Sequence, residues 1–354
     1  MRIINLVENE TGSSGCEAVH GLSFYVETEK HKLLFDTGGG RSPTAIPREY
    51  PKSDACSRFS DTSPTEAVFR NAQKLGINLT SVDTVILSHG HYDHSGGILA
   101  FAQLNPAARI YMQHNAGGEY YAFDGEGKGG GQSPAAKTRG YRYIGIDKKI
   151  LSLPQVQLLR GDTKLDDELQ LFTVDVERRA FPLPSTNARL KRLSAGNYLQ
   201  DDFSHEQNLL LTTAGKKILF CGCAHNGILN VLDALERKLG SGALPDLVLG
   251  GFHLMNRAGT LTAVRAELDK AEPYRTAEEP GTKAEVAAPN RAATATPALA
   301  GELTDEVREI AERLKRYKAH FATCHCTGLP AFNQMKEIMG DQLSYVYSGD
   351  EVEV

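Results

Sequence analysis

Long apolar runs, an excess of basic residues and a leader-like start are all missing from this chain. No stretch approaches the roughly 18 consecutive apolar residues that a membrane-crossing helix needs, so no membrane association is expected. With Lys+Arg 39 against Asp+Glu 44 the net charge is −5, which gives no basic footprint for a polyanion, and no nucleic-acid partner is expected. Met1 to Glu8 reads as a short first strand without the apolar core and small-residue cleavage site of a secretory signal. The expected location is cytoplasmic. Six cysteines in 354 residues do not make the disulfide framework of a small secreted domain.

What is present is ordinary for a globular protein, with 41% hydrophobic and 23% charged residues. The length suits one large α/β domain or two smaller ones. Residues 272–303 are rich in Ala, Pro, Thr and Glu with almost no large apolar side chains, a composition that buries too little surface to offset its ordering entropy. The expectation is a single domain over 1–354 with a flexible insertion at 272–303.

Two β-rich runs, 21–27 and 32–36, flank a polar turn and predict a hairpin. Ala67, Val68, Ala72 and Leu75 recur at helical spacing, and Asp83 to Ser88 reads as a buried strand. Ile98 to Leu104 reads as helix and Ile110 to Met112 as strand. Lys217-Ile218-Leu219-Phe220-Cys221 echoes Lys32-Leu33-Leu34-Phe35-Asp36, each on the second arm of a hairpin, which predicts two similar β-rich halves. A helix is expected over 228–239, a strand over 246–249, an amphipathic helix capped by Thr304 and running to about Lys318, and a last strand over 343–347. Residues 115–142 form a Gly-rich stretch long enough to suggest a functional loop. Its Tyr120, Tyr121, Phe123 and Tyr141, with Tyr143 just beyond, suggest a substrate-facing lid.

The densest chemistry is Ser88-His89-Gly90-His91-Tyr92-Asp93-His94. In an extended segment side chains alternate, so His89 and His91 point the same way and offer adjacent nitrogens to one borderline metal ion such as zinc. Asp93 and His94 follow as the chain turns and add an oxygen and a nitrogen for a second ion. Structural zinc sites more often use a closed thiolate shell, whereas imidazoles and carboxylates leave room for water. Four of the cysteines form the pairs Cys221/Cys223 and Cys324/Cys326, each close to a histidine. They are either metal-binding or reactive thiols, or small buried hydrophobes at strand ends.

His89-x-His91-x-Asp93-His94, preceded by a buried strand and by Phe35-Asp36-Thr37-Gly38, resembles the metallo-β-lactamase superfamily. The segments 21–24, 206–209, 222–227, 250–254 and 325–328 look like the subgroup typified by archaeal dihydropterin-6-methyl-(ribofuranosyl)aminobenzene-phosphate synthase. The resemblance implies an α/β fold, a four-layer αββα sandwich with a dinuclear centre at one edge. It implies His89, His91, Asp93, His94, His225 and His325 as metal ligands and two divalent ions, zinc with manganese or iron as alternatives.

His205 rivals His225 as third histidine of the first ion; in that case Cys223 takes the bridging place, because no Gly-Asp follows Ile218-Leu219-Phe220. His253 and His114 are each either substrate-facing or structural, and His20, His31 and His320 are expected at the surface or in packing. Asp36 either orients a metal-bound histidine or caps a turn. Asp93 is the expected catalytic residue, ligating metal and orienting the attacking water.

The expected function is metal-assisted hydrolysis or group transfer on a small molecule bearing a phosphate or a pterin-like ring, with Arg139 or Arg142 meeting the phosphate. An iron-dependent oxidoreductase of the same fold and a non-catalytic metal-binding sensor are the alternatives. The sequence gives no oligomeric state.

Overall fold

The computed structural model describes residues 1–39, 64–124, 140–255 and 305–354. The expected insertion at 272–303, Thr304, Arg139 and the Gly-rich centre of the 115–142 stretch lie outside the described residues. None of the described helices is long and apolar enough to cross a membrane.

Two sheets stack face to face. The first runs β1 (Arg2–Val7), β2 (Ser23–Glu27), β3 (Lys32–Phe35), β4 (Thr84–Ile86), β5 (Arg109–Gln113) and β8 (Val156–Leu159). The second runs β17 (Leu343–Tyr345), β16 (His320–Thr323), β15 (Leu247–Gly250), β14 (Lys216–Cys221), β13 (Asn208–Thr213), β10 (Leu169–Phe172) and β9 (Thr163–Lys164). The echo between halves is structural. β3 closes an antiparallel hairpin with β2 and pairs parallel with β4. β14 does the same with β13 and β15.

Strict alternation sorts the side chains into layers. Leu33 and Phe35 join Ile218, Phe220, Leu247 and Leu249 between the sheets. Leu34 instead faces the cluster that holds Ala67, Val68 and Ala72 of α1 (Ala67–Lys74) and Phe101 of α2 (Ile98–Leu104). Leu219 and Val248 face the opposite cluster, with α3 (Ile228–Leu239), α4 (Asp305–Leu314) and α5 (Gly328–Met339). Both faces of β3, β14 and β15 are therefore covered, which is why these strands read as continuous apolar runs. Phe220 contacts Phe24 and Phe35 across the sandwich with ring centroids 5.9 and 5.6 Å apart. Burying one such ring contributes about 2–3 kcal/mol.

A third sheet, β12 (Asn197–Gln200), β11 (Leu190–Ser194), β6 (Tyr120–Phe123) and β7 (Tyr141–Tyr143), is absent from the sequence reading. It corrects the lid expectation for the described part of 115–142. Tyr121, Tyr141 and Tyr198 pack on one another, with Tyr141 and Tyr198 stacked at 3.9 Å, and Phe123 packs on Tyr141. Tyr120 is buried and its hydroxyl donates to Asn115 O. Cross-strand packing between β6, β7, β11 and β12 consumes these rings.

Candidate metal centre

Every chemically loaded segment follows the carboxyl end of a strand in a parallel pair. Asp36 follows β3, the histidine cluster follows β4, Cys223 and His225 follow β14, His253 follows β15, and His325 and Cys326 follow β16. Parallel strands deliver their loops to one edge, so segments more than a hundred residues apart converge there. The turns are tight: Asp36, Ala224, His253 and His325 have positive φ of 61°, 49°, 51° and 52°. Such left-handed turns at residues with a Cβ cost on the order of 1–3 kcal/mol each and concentrate where function requires them.

His89, His91 and His94 are held by one buried knot. Asp36 lies just after β3 with no exposed surface. Its Oδ1 accepts the Ser88 N–H at 2.7 Å, and its Oδ2 accepts from Ser88 Oγ at 2.7 Å and from His94 Nδ1 at 2.6 Å. Having spent its one proton on Asp36, Ser88 Oγ must accept from His89 Nδ1, 2.8 Å away. Both rings thus carry a proton on Nδ1 and turn Nε2 toward the site. The knot leaves no room behind it, since a Cβ on Gly222 would fall 2.1 Å from Ser88 Oγ.

His225 and His325 are held differently, and alike. Asn187 Oδ1 accepts from His225 Nδ1 at 2.9 Å while Asn187 Nδ2 donates to His225 O at 2.7 Å. The buried carboxylate of Glu206 accepts the His225 N–H at 2.7 Å. At the other histidine, Asn9 Oδ1 meets Nδ1 at 3.1 Å, Asn9 Nδ2 donates to His325 O at 3.0 Å, and Glu8 accepts the His325 N–H at 3.0 Å. Each asparagine's orientation is fixed by its own bond to a carbonyl, so its oxygen must face the ring, and Nε2 is again left bare.

The bare nitrogens converge. His89 Nε2 is 3.3 Å from His225 Nε2 and 3.0 Å from His91 Nδ1. Two lone pairs facing each other at 3.3 Å repel unless a cation lies between them, and that spacing suits zinc–nitrogen bonds of about 2.0–2.1 Å in tetrahedral array. A second group surrounds Asp93. Its Oδ2 is 3.5 Å from His325 Nε2 and 3.8 Å from His94 Nε2. His325 Nε2 is buried with no hydrogen-bond partner, the orphan that a cation would satisfy.

Cys223 stands between the two groups. Its sulfur is 3.2 Å from His94 Nε2 and lies within 4.8 Å of donor atoms of His89 and His94, of His225 and His253, and of His325 and Cys326. The cysteine pairs therefore split: Cys221 and Cys324 point into cores, while Cys223 and Cys326 face the site. Burial pushes the Cys221, Cys223 and Cys324 thiols up.

Burial, then the neighbouring imidazoles, hold His89 and His225 well below the usual histidine range. His91 is held down at about 3, chiefly by burial and then by His205. These rings are neutral at ordinary pH, the form in which an imidazole can bind a metal ion. Burial opposes the charged form of His94 too, but the carboxylates of Asp36 and Asp93 outweigh it and push the ring up to about 9. A proton and a cation therefore compete for His94 Nε2.

His205 is grouped elsewhere. Its Nδ1 accepts the Gly90 N–H at 3.0 Å and its Nε2 donates to Asp201 Oδ2 at 3.1 Å, so both nitrogens are committed to bracing the histidine loop. His20 is exposed and packs its ring, as expected, but it also borders the site. Its Nε2 is 3.2 Å from Asp93 Oδ2 and its ring stacks on His325 at 5.4 Å. His31 bridges Asp83 and Asp166 at 3.1 and 2.6 Å, at the opposite end of β3 from the site. His253 packs its ring 4.1 Å from that of His225.

Sequence reasoning missed Glu8, Asn9, Asn187, Asp201 and the role of Glu206. The one signal was the segment Glu206-Gln207-Asn208. Glu206 holds the His225 turn, and Gln207 next to it binds Ser88 O and Leu87 O through its N–H and side-chain amide, 2.7 and 2.8 Å. Adjacent residues thus tie both halves of the site together.

The site opens into a pocket lined by His91, Asp93, Cys223, His225 and Cys326, among others.

Comparison with known proteins agrees with this architecture. Residues 17–175 match the metallo-beta-lactamase superfamily, and the chain has the fold of that superfamily. A solved metal-dependent hydrolase of the beta-lactamase superfamily superposes over 100% of this chain and 99% of its own, with TM-score 0.65 and 22% identity. Among curated proteins, 7,8-dihydropterin-6-methyl-4-(beta-D-ribofuranosyl)-aminobenzene-5'-phosphate synthase of Methanocaldococcus jannaschii is 26% identical over 72% of this chain and 78% of its own length. An uncharacterized protein of the same archaeon is 23% identical over 72% and 80%.

Proposed function

We propose that this protein is a metal-dependent enzyme that hydrolyses a small molecule or transfers a group from it at a dinuclear centre. His89, His91 and His225 hold one divalent ion, zinc with manganese or iron as substitutes. Asp93, His94 and His325 hold the second, and Cys223 stands where a ligand common to both belongs. The observation that carries the reading is the 3.3 Å approach of two bare, buried imidazole nitrogens, His89 Nε2 and His225 Nε2.

Divalent ions held there supply Lewis acidity and bring the pKa of water down toward neutrality. Asp93 orients water at the pocket floor through its carboxylate. His20 Nε2, 3.2 Å from Asp93 Oδ2 on a side chain 39% exposed, is placed to pass the released proton to solvent. Pterin- and phosphate-bearing compounds are the first substrates to try, given the curated relative's name.

The sulfur beside His94 favours one second reading. A cysteine ligand serves iron as well as zinc, so an iron-dependent oxidoreductase is the competing class.

Elemental analysis of protein purified without added metal, with assays on phosphomonoesters, phosphodiesters, lactones and pterin phosphates, decides between them. Two zinc or manganese ions per chain and a turnover abolished by His91→Ala are expected. Iron with negligible zinc or manganese overturns the hydrolase reading. Metal lost in His91→Ala, from a protein with no activity on the panel, favours a binding module.

A further inference from the structure

The proposed metal chemistry leaves one thiol of the pocket, Cys326, without a role. Cys221 lies in the cluster outside the second sheet and Cys324 in the one between the sheets, so those two thiols sit on opposite faces and cannot meet. Cys223 and Cys326, each two residues further along, both line the pocket. Both are free thiols, and their sulfurs lie within 4.8 Å of each other.

That approach depends on what stands between them. Cys223 follows β14 and Cys326 follows β16, with β15 in the middle. Neighbouring strands are about 4.8 Å apart, so a side chain at the end of β15 would hold the two sulfurs apart. β15 runs out instead into Gly250-Gly251, and a Cβ on Gly251 would fall 2.4 Å from Cys326 Sγ. Glycine there leaves the opening through which one sulfur faces the other. The three loop ends are tied together: Gly251 N–H donates to Gly222 O at 3.0 Å, Cys326 Sγ accepts the His253 N–H at 3.3 Å, and it donates to Cys223 O at 3.7 Å.

We propose that Cys223 and Cys326 are a redox pair that hydrogen peroxide converts reversibly to a disulfide, and that the disulfide withdraws Cys223 from the cation site. Cys326 Sγ attacks one peroxide oxygen, the O–O bond breaks, and water leaves with the thiol proton, giving a sulfenic acid. Cys223 Sγ attacks that sulfur, the S–O bond breaks, and the hydroxyl leaves as a second water with the Cys223 proton. Two thiols are oxidised to one disulfide, and one peroxide is reduced to two waters. A dithiol reverses the change by exchange through a mixed disulfide. The sulfurs close to about 2.05 Å in the process, and a sulfur so bonded no longer offers a thiolate to a metal ion. This adds regulation to the metal-centre reading above, and its second half rests on that reading.

The test reads thiols and metal separately. Full-length protein is exposed to hydrogen peroxide, alkylated and mapped by peptide mass spectrometry, with metal content measured before oxidation, after it, and after dithiothreitol with fresh metal. A peptide joining Cys223 to Cys326, the loss of two thiols and at least one ion per chain, and recovery of both with dithiothreitol are expected. Cys326→Ser is expected to form no such peptide and to keep its metal at the peroxide dose that empties the wild type. Gly251→Ala keeps both thiols but sets a methyl group against Cys326 Sγ. It is expected to form the disulfide at a fraction of the wild-type rate, and it stays informative where the serine variant fails to fold. Absence of the joined peptide in the wild type overturns the proposal, and so does a disulfide-bonded protein that keeps its full metal content. Protein that takes up no metal before any oxidant is added overturns the metal-centre reading instead, and the mapped peptide still decides whether the two thiols pair.

Discussion

The histidine cluster at 89–94 and the two outlying histidines His225 and His325 reach the same end by different means. Within the cluster a single fully buried carboxylate, Asp36, orients His94 directly and His89 through Ser88. Each outlying ring has its own asparagine on Nδ1 and its own buried glutamate on the backbone N–H. Residues close in sequence share one strand end, so one anchor serves them. Residues delivered by separate strands share no local geometry, so each loop needs its own. All these devices turn Nε2 to the site.

Removing the shared anchor is expected to do the most damage. Asp36→Asn keeps the shape and the left-handed turn but leaves the Ser88 and His94 donors short of a charge. A loss of roughly 3–5 kcal/mol follows, the usual result of breaking a buried pair, with both ions released. Denaturant unfolding with metal analysis measures it, and a variant that still binds two ions breaks the shared-anchor account.

The separate anchors are expected to fail separately. Asn187→Ala and Asn9→Ala should each weaken one ion by about 10–100-fold, the common cost of deleting an orienting partner, and leave the other in place. Competition with a chelator resolves the two. Simultaneous loss of both ions in either variant shows the anchors to be coupled.

His205→Gln sharpens the division between ligands and braces. Because His205 holds Gly90 and Asp201, the variant should keep full metal content and lose on the order of 1–2 kcal/mol of stability. Loss of one ion makes His205 a ligand.

The smallest effect is expected far from the site, at His31. Burial disfavours its charged form, but Asp83 and Asp166 outweigh burial and raise its pKa. A raised histidine pKa stabilises the fold below the unfolded value of about 6.5 and loses that contribution as pH climbs through the folded value. Both carboxylates are more than a third exposed, so the effect stays under about 1 kcal/mol. Melting temperatures of wild type and His31→Gln should differ at pH 6 and converge by pH 8–9. An equal gap at both ends removes the charge from the account.

Much of the fold was legible in the residues themselves. Helices at Ile98–Leu104 and Ile228–Leu239 and the echo between β3 and β14 follow from apolar periodicity, a local property. The third sheet was not legible, because its tyrosines pair across strands from three separated segments, and a Gly-rich neighbourhood reads as loop. The expected helix to Lys318 ends at Leu314, since a helical pattern carries little information about where its last turn unwinds.

The sequence by itself determined which groups could bind cations: His89, His91, Asp93 and His94 sit within six positions, and alternation plus a turn put them together. Only the tertiary structure sets the surroundings of His225 apart from those of His205. The two differ only in which nitrogens remain bare, and that depends on Asn187 at one ring and on Gly90 and Asp201 at the other. Cys223 and His20 are likewise placed by the meeting of strand ends from opposite sheets. A hydrogen-bond partner from a distant segment leaves no mark on local spacing, so a ring's protonation is a property of the folded molecule.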